Sequence, residues 1–315
     1  MLLSRTADSL YWTARYIERA ENTARLLEAA TRLSNVRTGA EQPSNEWESA
    51  VLATGMEELF EERYGEANAR TVVDFLAFSE NNPSSIRSCL EAARANARSV
   101  RTAITIEMWE TINGAWLELK RYRTFGQSRA ELLEFLRFVK GVALSVDGIA
   151  HRTMLRTDGF SFFRLGGYIE RADNTARILD VKYHVLLPQG ERVGGGLDYF
   201  QWTSILRSVS ALTAYHWVYR ESLKPWLVAD LLILNEKMPR SLSSCYGNIT
   251  LSLDNLSKAY HRQGKAQRLA RSIHSDFRNR DIESIFQSGL HQFVENFIGK
   301  NNELGASIAD QYLFQ

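Results

Sequence analysis

Residues 16–29 read Tyr16-Ile17-Glu18-Arg19-Ala20-Glu21-Asn22-Thr23-Ala24-Arg25-Leu26-Leu27-Glu28-Ala29, and residues 168–181 read Tyr168-Ile169-Glu170-Arg171-Ala172-Asp173-Asn174-Thr175-Ala176-Arg177-Ile178-Leu179-Asp180-Val181. Ten of the fourteen positions are identical at an offset of 152, and three of the four differences exchange Glu for Asp or Leu for Ile. Side-chain size and charge are thus nearly preserved. Matches continue in order along the chain. Asp74 pairs with Asp230 and the segment Pro83 to Cys89 with Pro239 to Cys245, both at 156, while Trp47 pairs with Trp202 and Phe138-Val139 with Phe293-Val294 at 155. A small drift of the offset is what two copies of one supersecondary unit with altered loops produce. The chain reads as one domain, 1–315, made of two homologous repeats, about 1–155 and about 156–315, related by a pseudo-twofold.

Both copies of the motif read as helix. From Thr13 to Arg32 there is no Pro or Gly, and Ile17, Ala20, Ala24 and Leu27 recur at helical spacing. Pro83 and Pro239 sit where helices begin, because proline fits a first turn. From Pro83 to about Arg121 only Gly114 interrupts, which predicts a single helix of about 39 residues, about 58 Å long. Further helices are expected near 128–157, 200–217, 219–236, 239–262 and 277–299, with loops at 38–45 and 188–198. No segment alternates with period two. The fold class is all-α, a helical bundle.

The composition bounds the function. With 315 residues, 44% hydrophobic and 24% charged, the chain has the make-up of a globular protein with a sizeable core. Its 38 Lys+Arg and 37 Asp+Glu leave a net charge of +1, so no overall basic field points to nucleic acid or to an anionic membrane. Any charge-driven site must be local. Two cysteines, Cys89 and Cys245, are too few for a disulfide scaffold. The longest apolar run, 226–234, contains Asp230 and is well short of the ~20 residues a span needs. Residues 1–8 lack the layout of an export signal. The expected location is cytoplasmic, without nucleic-acid or membrane partners.

Glu18, Asn22 and Arg25 share one face of the repeated helix, widened by Glu21 and Glu28, and Glu170, Asn174, Arg177, Asp173 and Asp180 repeat the arrangement. Tyr16, Ala20 and Thr23, retained in both copies, point elsewhere, so the helix is expected to be surrounded by protein. Its charges then need partners. One reading is a structural lattice within each helix, Glu18 and Glu21 with Arg25, and Glu170 and Asp173 with Arg177. In the other, the two helices meet so that their carboxylates, amides and guanidinium groups, including Arg19 and Arg171, line one cleft. A second stripe, Arg87, Arg94, Arg98 and Arg101, reads first as a solvated face, with contact to the acidic face or to an anionic ligand as the alternatives.

Other chemistries are set aside. The six histidines include no i,i+3 or i,i+4 pair, leaving the Glu18 and Glu170 carboxylates as candidates for Mg²⁺; no metal site and no cofactor is expected. Cys89 and Cys245 read as buried thiols more than as nucleophiles. Gly194-Gly195-Gly196 lacks a following Lys-Ser/Thr, and Gly166-Gly167 precedes a helix without a strand before it, so neither is a nucleotide loop. A homo-oligomer built on an exposed patch of Trp202, Trp217 and Trp226 is a further, purely structural option.

Ser4-Arg5-Thr6-Ala7, Tyr11-Trp12 and Arg15 to Glu21 resemble the opening of the bacterial alpha-E domain proteins. The resemblance continues through Asn82 to Arg87, Ala93 to Arg101, Trp109-Glu110 and Asn113, and resumes at Thr153 to Arg156 and Gly167 to Ala172, spanning essentially the whole chain. It implies an all-helical protein encoded or fused alongside a circularly permuted ATP-grasp protein and a transglutaminase-like protease, a setting for making and trimming amide or peptide linkages. Two functions follow. In the first the chain is an accessory or scaffold that binds the ATP-grasp partner or its amino-acid or peptide substrate, with arginines on a carboxylate and the Glu/Asn face on an amine. In the second it is an enzyme of amide-bond chemistry, with Glu18 or Glu170 as acid or base and Arg94, Arg98 or Arg101 stabilising an oxyanion. The first is preferred, because each Glu has an arginine within one or two turns.

Overall fold

The structure is a computed structural model that describes residues 2–34, 46–122, 128–184 and 196–313. Among the described residues the chain is all-helical, without a strand. Two long helices, α1 (Ser4–Leu33) and α8 (Asp158–His184), carry the repeated motif. Short helices α2 (Glu46–Leu52), α3 (Glu57–Tyr64) and α4 (Ala69–Val73) follow α1, then α5 (Ile86–Ser99), α6 (Ile106–Leu119) and α7 (Arg129–Thr153). After α8 come α9 (Gly196–Ser208), α10 (Leu212–Tyr219), α11 (Pro225–Ile233), α12 (Leu242–Tyr260), α13 (Lys265–Arg278), α14 (Ile282–Ser288) and α15 (Leu290–Tyr312).

α1 and α8 run parallel through the centre, tied at one end by the Leu2 amide donating to Asp158 Oδ2 at 3.0 Å and midway by ion pairs at matching depth. α5 and α7 pack on α1, and α12 and α15 pack on α8. Both central helices are therefore enclosed, as expected from residues constrained on every side. Along α1, Ala7, Leu10, Tyr11, Ile17, Ala20, Ala24 and Leu27 are buried together with Glu18, Glu21, Asn22 and Arg25. Small side chains allow close approach, and Gly166 is the tightest point: a Cβ there would lie 2.1 Å from the Tyr11 carbonyl oxygen.

The structure corrects several sequence expectations. The 39-residue helix is a hairpin of α5 and α6, because Val100 leaves the helical region at φ −122°, ψ 32° and Thr105, extended, accepts from the Met108 amide to start a new helix. In the hairpin Ile104 and Met108 are both buried. α5 and α12 begin three residues past Pro83 and Pro239, where Ser85 and Ser241 accept from the Ser88 and Ser244 amides. The expected helix 200–217 breaks at Ser210 (φ +57°), 219–236 at Arg220 (φ +53°) before Pro225, and 277–299 at Gly289 (φ +92°). Gly166-Gly167 lies inside α8, not ahead of it. The expected loop 38–45 lies outside the described residues, as does 188–195, while 196–198 begin α9. Trp202 is buried and only Trp217 and Trp226 are exposed, so the three form no common patch.

Gly141 and Gly148 sit within α7 with nothing near the position of an added Cβ. Gly141→Ala and Gly148→Ala are each expected to stabilise the protein by up to about 1 kcal/mol, since alanine loses less backbone entropy in a helix. A lowered denaturation midpoint for both variants would contradict this packing.

Candidate functional site

The centre of the molecule is a network of crossed ion pairs. Arg171 on α8 grips Glu18 on α1 side-on, Nε to Oε1 at 3.0 Å and Nη2 to Oε2 at 2.7 Å. Arg19 on α1 grips Glu170 on α8 in the same way, at 2.5 and 3.0 Å. Each Glu-Arg dipeptide therefore gives its carboxylate to one partner and takes the other's in return. This is possible because adjacent residues on a helix diverge by 100°, letting Glu18 and Arg19 address different sides of α8.

Each carboxylate also has a second guanidinium, from a position with no arginine at the matching offset. Arg15 donates to Glu170 Oε2 at 2.8 Å, and its counterpart is Gly167. Arg240 donates to Glu18 Oε1 at 2.9 Å and to Glu21 Oε1 at 2.8 Å, and its counterpart is Ser84. Neither arginine stands out by residue type. Arg15 lies just before the matched segment 16–29, and Arg240 is one of three differences between 83–89 and 239–245, so spacing singled out neither.

Arg25 continues the network by gripping Glu21 and donating Nη1 to the Ser208 carbonyl at 3.0 Å and to Ser210 Oγ at 2.8 Å. Arg177 pairs with Asp173 at 2.7 Å. The expected i,i+4 pairs Glu21–Arg25 and Asp173–Arg177 are thus present, whereas Glu18 and Glu170 turn to the opposite helix instead of to Arg25 and Arg177. Asn22 and Asn174 are buried beside them, with Asn22 Oδ1 and Asn174 Nδ2 unbonded among the described residues.

Burial by itself would push the Glu18 carboxyl up, but Arg171 and Arg240 outweigh it and hold the group down at about 2. For Glu170 burial is again opposed, by Arg15 and Arg19, and the result is also a lowered pKa. Both carboxylates are permanently ionised near neutral pH. Neither offers Mg²⁺ a vacant pair of oxygens, because two guanidinium groups already bind each one. Glu18 and Arg171 border a cavity of about 20 Å³, lined also by Ala14, Ile17 and Val146, which is room for about one water.

The arginine stripe does not reach this centre. Arg87 pairs with Glu80 at 2.5 Å, and Arg94 donates to Asn113 Oδ1 at 2.8 Å. Arg98 is exposed, and Arg101 lies over the Trp109 ring at 5.0 Å, exposed at the end of the α5–α6 hairpin. The acidic faces are met by arginines of α1, of α8 and of the segment before α12. The expectation that Glu18 and Glu170 face Arg94, Arg98 and Arg101 rested on the straight helix that the structure breaks.

Cys89 and Cys245 are wholly buried, and burial pushes each thiol up to about 12 despite a nearby arginine. Neither is poised as a nucleophile. Both are expected to resist a disulfide-exchange reagent at pH 8 in the native protein and to react together on unfolding. Fast native-state labelling of either one would contradict this.

A parallel pair of enclosed helices exchanging buried Glu-Arg pairs is the class of all-helical protein that fold and site define. The chain belongs to the Alpha-E family: residues 2–313 match the family described as "A predicted alpha-helical domain with a conserved ER motif". No curated protein and no solved structure matches.

Proposed function

We propose that this chain is an accessory component, a scaffold with a substrate-binding role, of a cytoplasmic ATP-grasp-dependent system that makes amide or peptide bonds. The observation that carries this reading is the neutralisation of Glu18 and Glu170, each by two arginines. A general acid or base must gain or lose a proton near the working pH, and a carboxyl held at about 2 does neither. The network has six guanidinium groups, of Arg15, Arg19, Arg25, Arg171, Arg177 and Arg240, against four carboxylates, of Glu18, Glu21, Asp173 and Glu170. Arg19 and Arg177 keep 24% and 29% of their side chains exposed. That surplus suits a carboxylate-bearing amino acid or peptide.

The architecture we propose with it is two copies of one unit about a pseudo-twofold through the crossed pairs. Matched positions repeat the same local bonds. Tyr64 donates to Asp74 as Tyr219 does to Asp230, and the Cys89 and Cys245 thiols each lie 3.9 Å from the carbonyls of Pro83 and Pro239.

Co-expression with a circularly permuted ATP-grasp protein tests the function. The expected result is co-purification and a change in ATP consumption over a panel of amino acids. No association and no effect on ATP use would remove the proposal. If Glu18→Gln and Glu170→Gln abolished turnover of the reconstituted system at a temperature where both variants remain folded and assembled, the catalytic reading would replace it.

A further inference from the structure

Four turns converge at the end of the bundle where α1 and α8 begin. Thr105 of the α5–α6 turn and Thr153 at the close of α7 share a hydrogen bond of 3.0 Å, and Ser99 Oγ donates to Ser9 Oγ at 3.1 Å. The Leu2 amide and the Tyr260 hydroxyl, at the end of α12, both donate to Asp158 Oδ2 at 3.0 Å. At this end three aliphatic side chains stand out from separate turns: Leu3, Ile106 and Leu155, 77%, 73% and 79% exposed. Around them Arg98, Arg101, Arg152 and Arg156 are exposed, and none forms an ion pair with a carboxylate among the described residues. Two are braced on rings, Arg101 over Trp109 at 5.0 Å and Arg156 over Phe160 at 3.9 Å. The acidic groups facing them are Glu107 and Glu110 on α6, with Asp8 part-buried and Asp158 already engaged.

The net charge of +1 conceals this polarity. Residues 46–80 hold nine acidic side chains and two basic ones. Their helices pack toward the other half of the central pair, where Gly55 lies against the Arg177 guanidinium. An anionic plane would repel this acidic segment and attract the arginine end.

From these observations we infer that this end docks on the surface of an anionic lipid bilayer, with Leu3, Ile106 and Leu155 entering the headgroup–acyl boundary and Arg98, Arg101, Arg152 and Arg156 meeting lipid phosphates. Aliphatic tips on three separate turns suit a deformable apolar phase, which needs no matching holes, and guanidinium groups bind phosphate oxygens bidentately. Nucleic acid would use the arginines but gives exposed leucine and isoleucine nothing to do, and single strands call for stacked aromatics. Three aliphatic tips and four arginines give a peripheral, reversible attachment, and no helix among the described residues is long and apolar enough to cross a membrane. The inference is independent of the ATP-grasp proposal and stands or falls separately.

Sedimentation of the full chain with vesicles of phosphatidylcholine, with and without phosphatidylglycerol, tests it. Binding is expected only when phosphatidylglycerol is present and should weaken as salt is raised. The pair Ile106→Ser and Leu155→Ser, and separately the set Arg98→Gln, Arg101→Gln, Arg152→Gln and Arg156→Gln, should each reduce the bound fraction about tenfold or more. All six positions are exposed, and unchanged thermal melts would confirm that the variants fold. No sedimentation with phosphatidylglycerol vesicles overturns the inference. So does sedimentation that the serine pair leaves untouched, above all if duplex DNA or polyglutamate competes equally well, because the arginines would then be reading charge alone.

Discussion

Glu18→Ala is expected to cost about 3–5 kcal/mol of stability, because it leaves Arg171 as a buried charge without its carboxylate and Arg240 with Glu21 alone. The loss should appear as a lowered midpoint in denaturant with an unchanged slope. The same interaction predicts the acid response. Glu18 ionises at about 2 in the folded protein and near 4.5 in the unfolded chain. A group with a depressed folded pKa stabilises above its unfolded value, so about 3 kcal/mol is present at pH 5 and above and is lost between pH 4.5 and 2. Glu170, also lowered, acts in the same direction. Denaturant titrations at pH 7 and pH 3 on the wild type and on Glu18→Gln measure this directly. The variant should lose stability at pH 7 and show a flatter decline on acidification. Equal stability of the two proteins at pH 7 would mean that the crossed pairs contribute nothing.

Gly166→Ala is expected to destabilise by about 3 kcal/mol or more, and at physiological temperature to impair folding. The added methyl carbon would meet the Tyr11 carbonyl oxygen at 2.1 Å and the Tyr11 carbonyl carbon at 2.9 Å, and backbone on a buried helix has little room to yield. The neighbouring Gly167→Ala supplies the control, because its Cβ would reach only Ala14 Cβ at 3.9 Å, an ordinary contact. A large difference between these adjacent substitutions, read as Tm or chevron midpoint, reports the close approach of α1 and α8. Similar effects at both positions would mean that helix propensity alone governs them.

Much of the helical architecture is legible in the residues. The absence of Pro and Gly from Thr13 to Arg32, the recurrence of Ile17, Ala20, Ala24 and Leu27, and the polar side chains on the remaining faces define a helix that must be enclosed. What misleads is the stretch 83–121. Its lone glycine suggested continuity, but Thr105 is a cap and Ile104 and Met108 are core residues, so the turn is decided by burial that only the packed bundle supplies. The arginine stripe failed with it. Arg94 and Arg101 share a face only while the helix stays straight, and once it folds back Arg94 meets Asn113 while Arg101 is left at the end.

The candidate site divides in the same way. The i,i+4 pairs Glu21–Arg25 and Asp173–Arg177 follow from helix geometry and were readable from spacing. The crossed pairs Glu18–Arg171 and Glu170–Arg19 depend on two helices lying parallel at matched depth, and spacing within one helix carries no information about that. Arg15 and Arg240 are a third case, since they complete the neutralisation from positions with no arginine at the matching offset.

The amino-acid sequence by itself determined that this protein is helical, that a Glu-Arg dipeptide recurs in two nearly identical segments, and that those segments belong inside, because hydrophobic spacing and helix propensity are local properties. The tertiary structure alone decided which arginine each carboxylate holds. Pairing between charges 151 to 222 residues apart is chosen by how the helices pack and by the cost of leaving a buried charge unmatched.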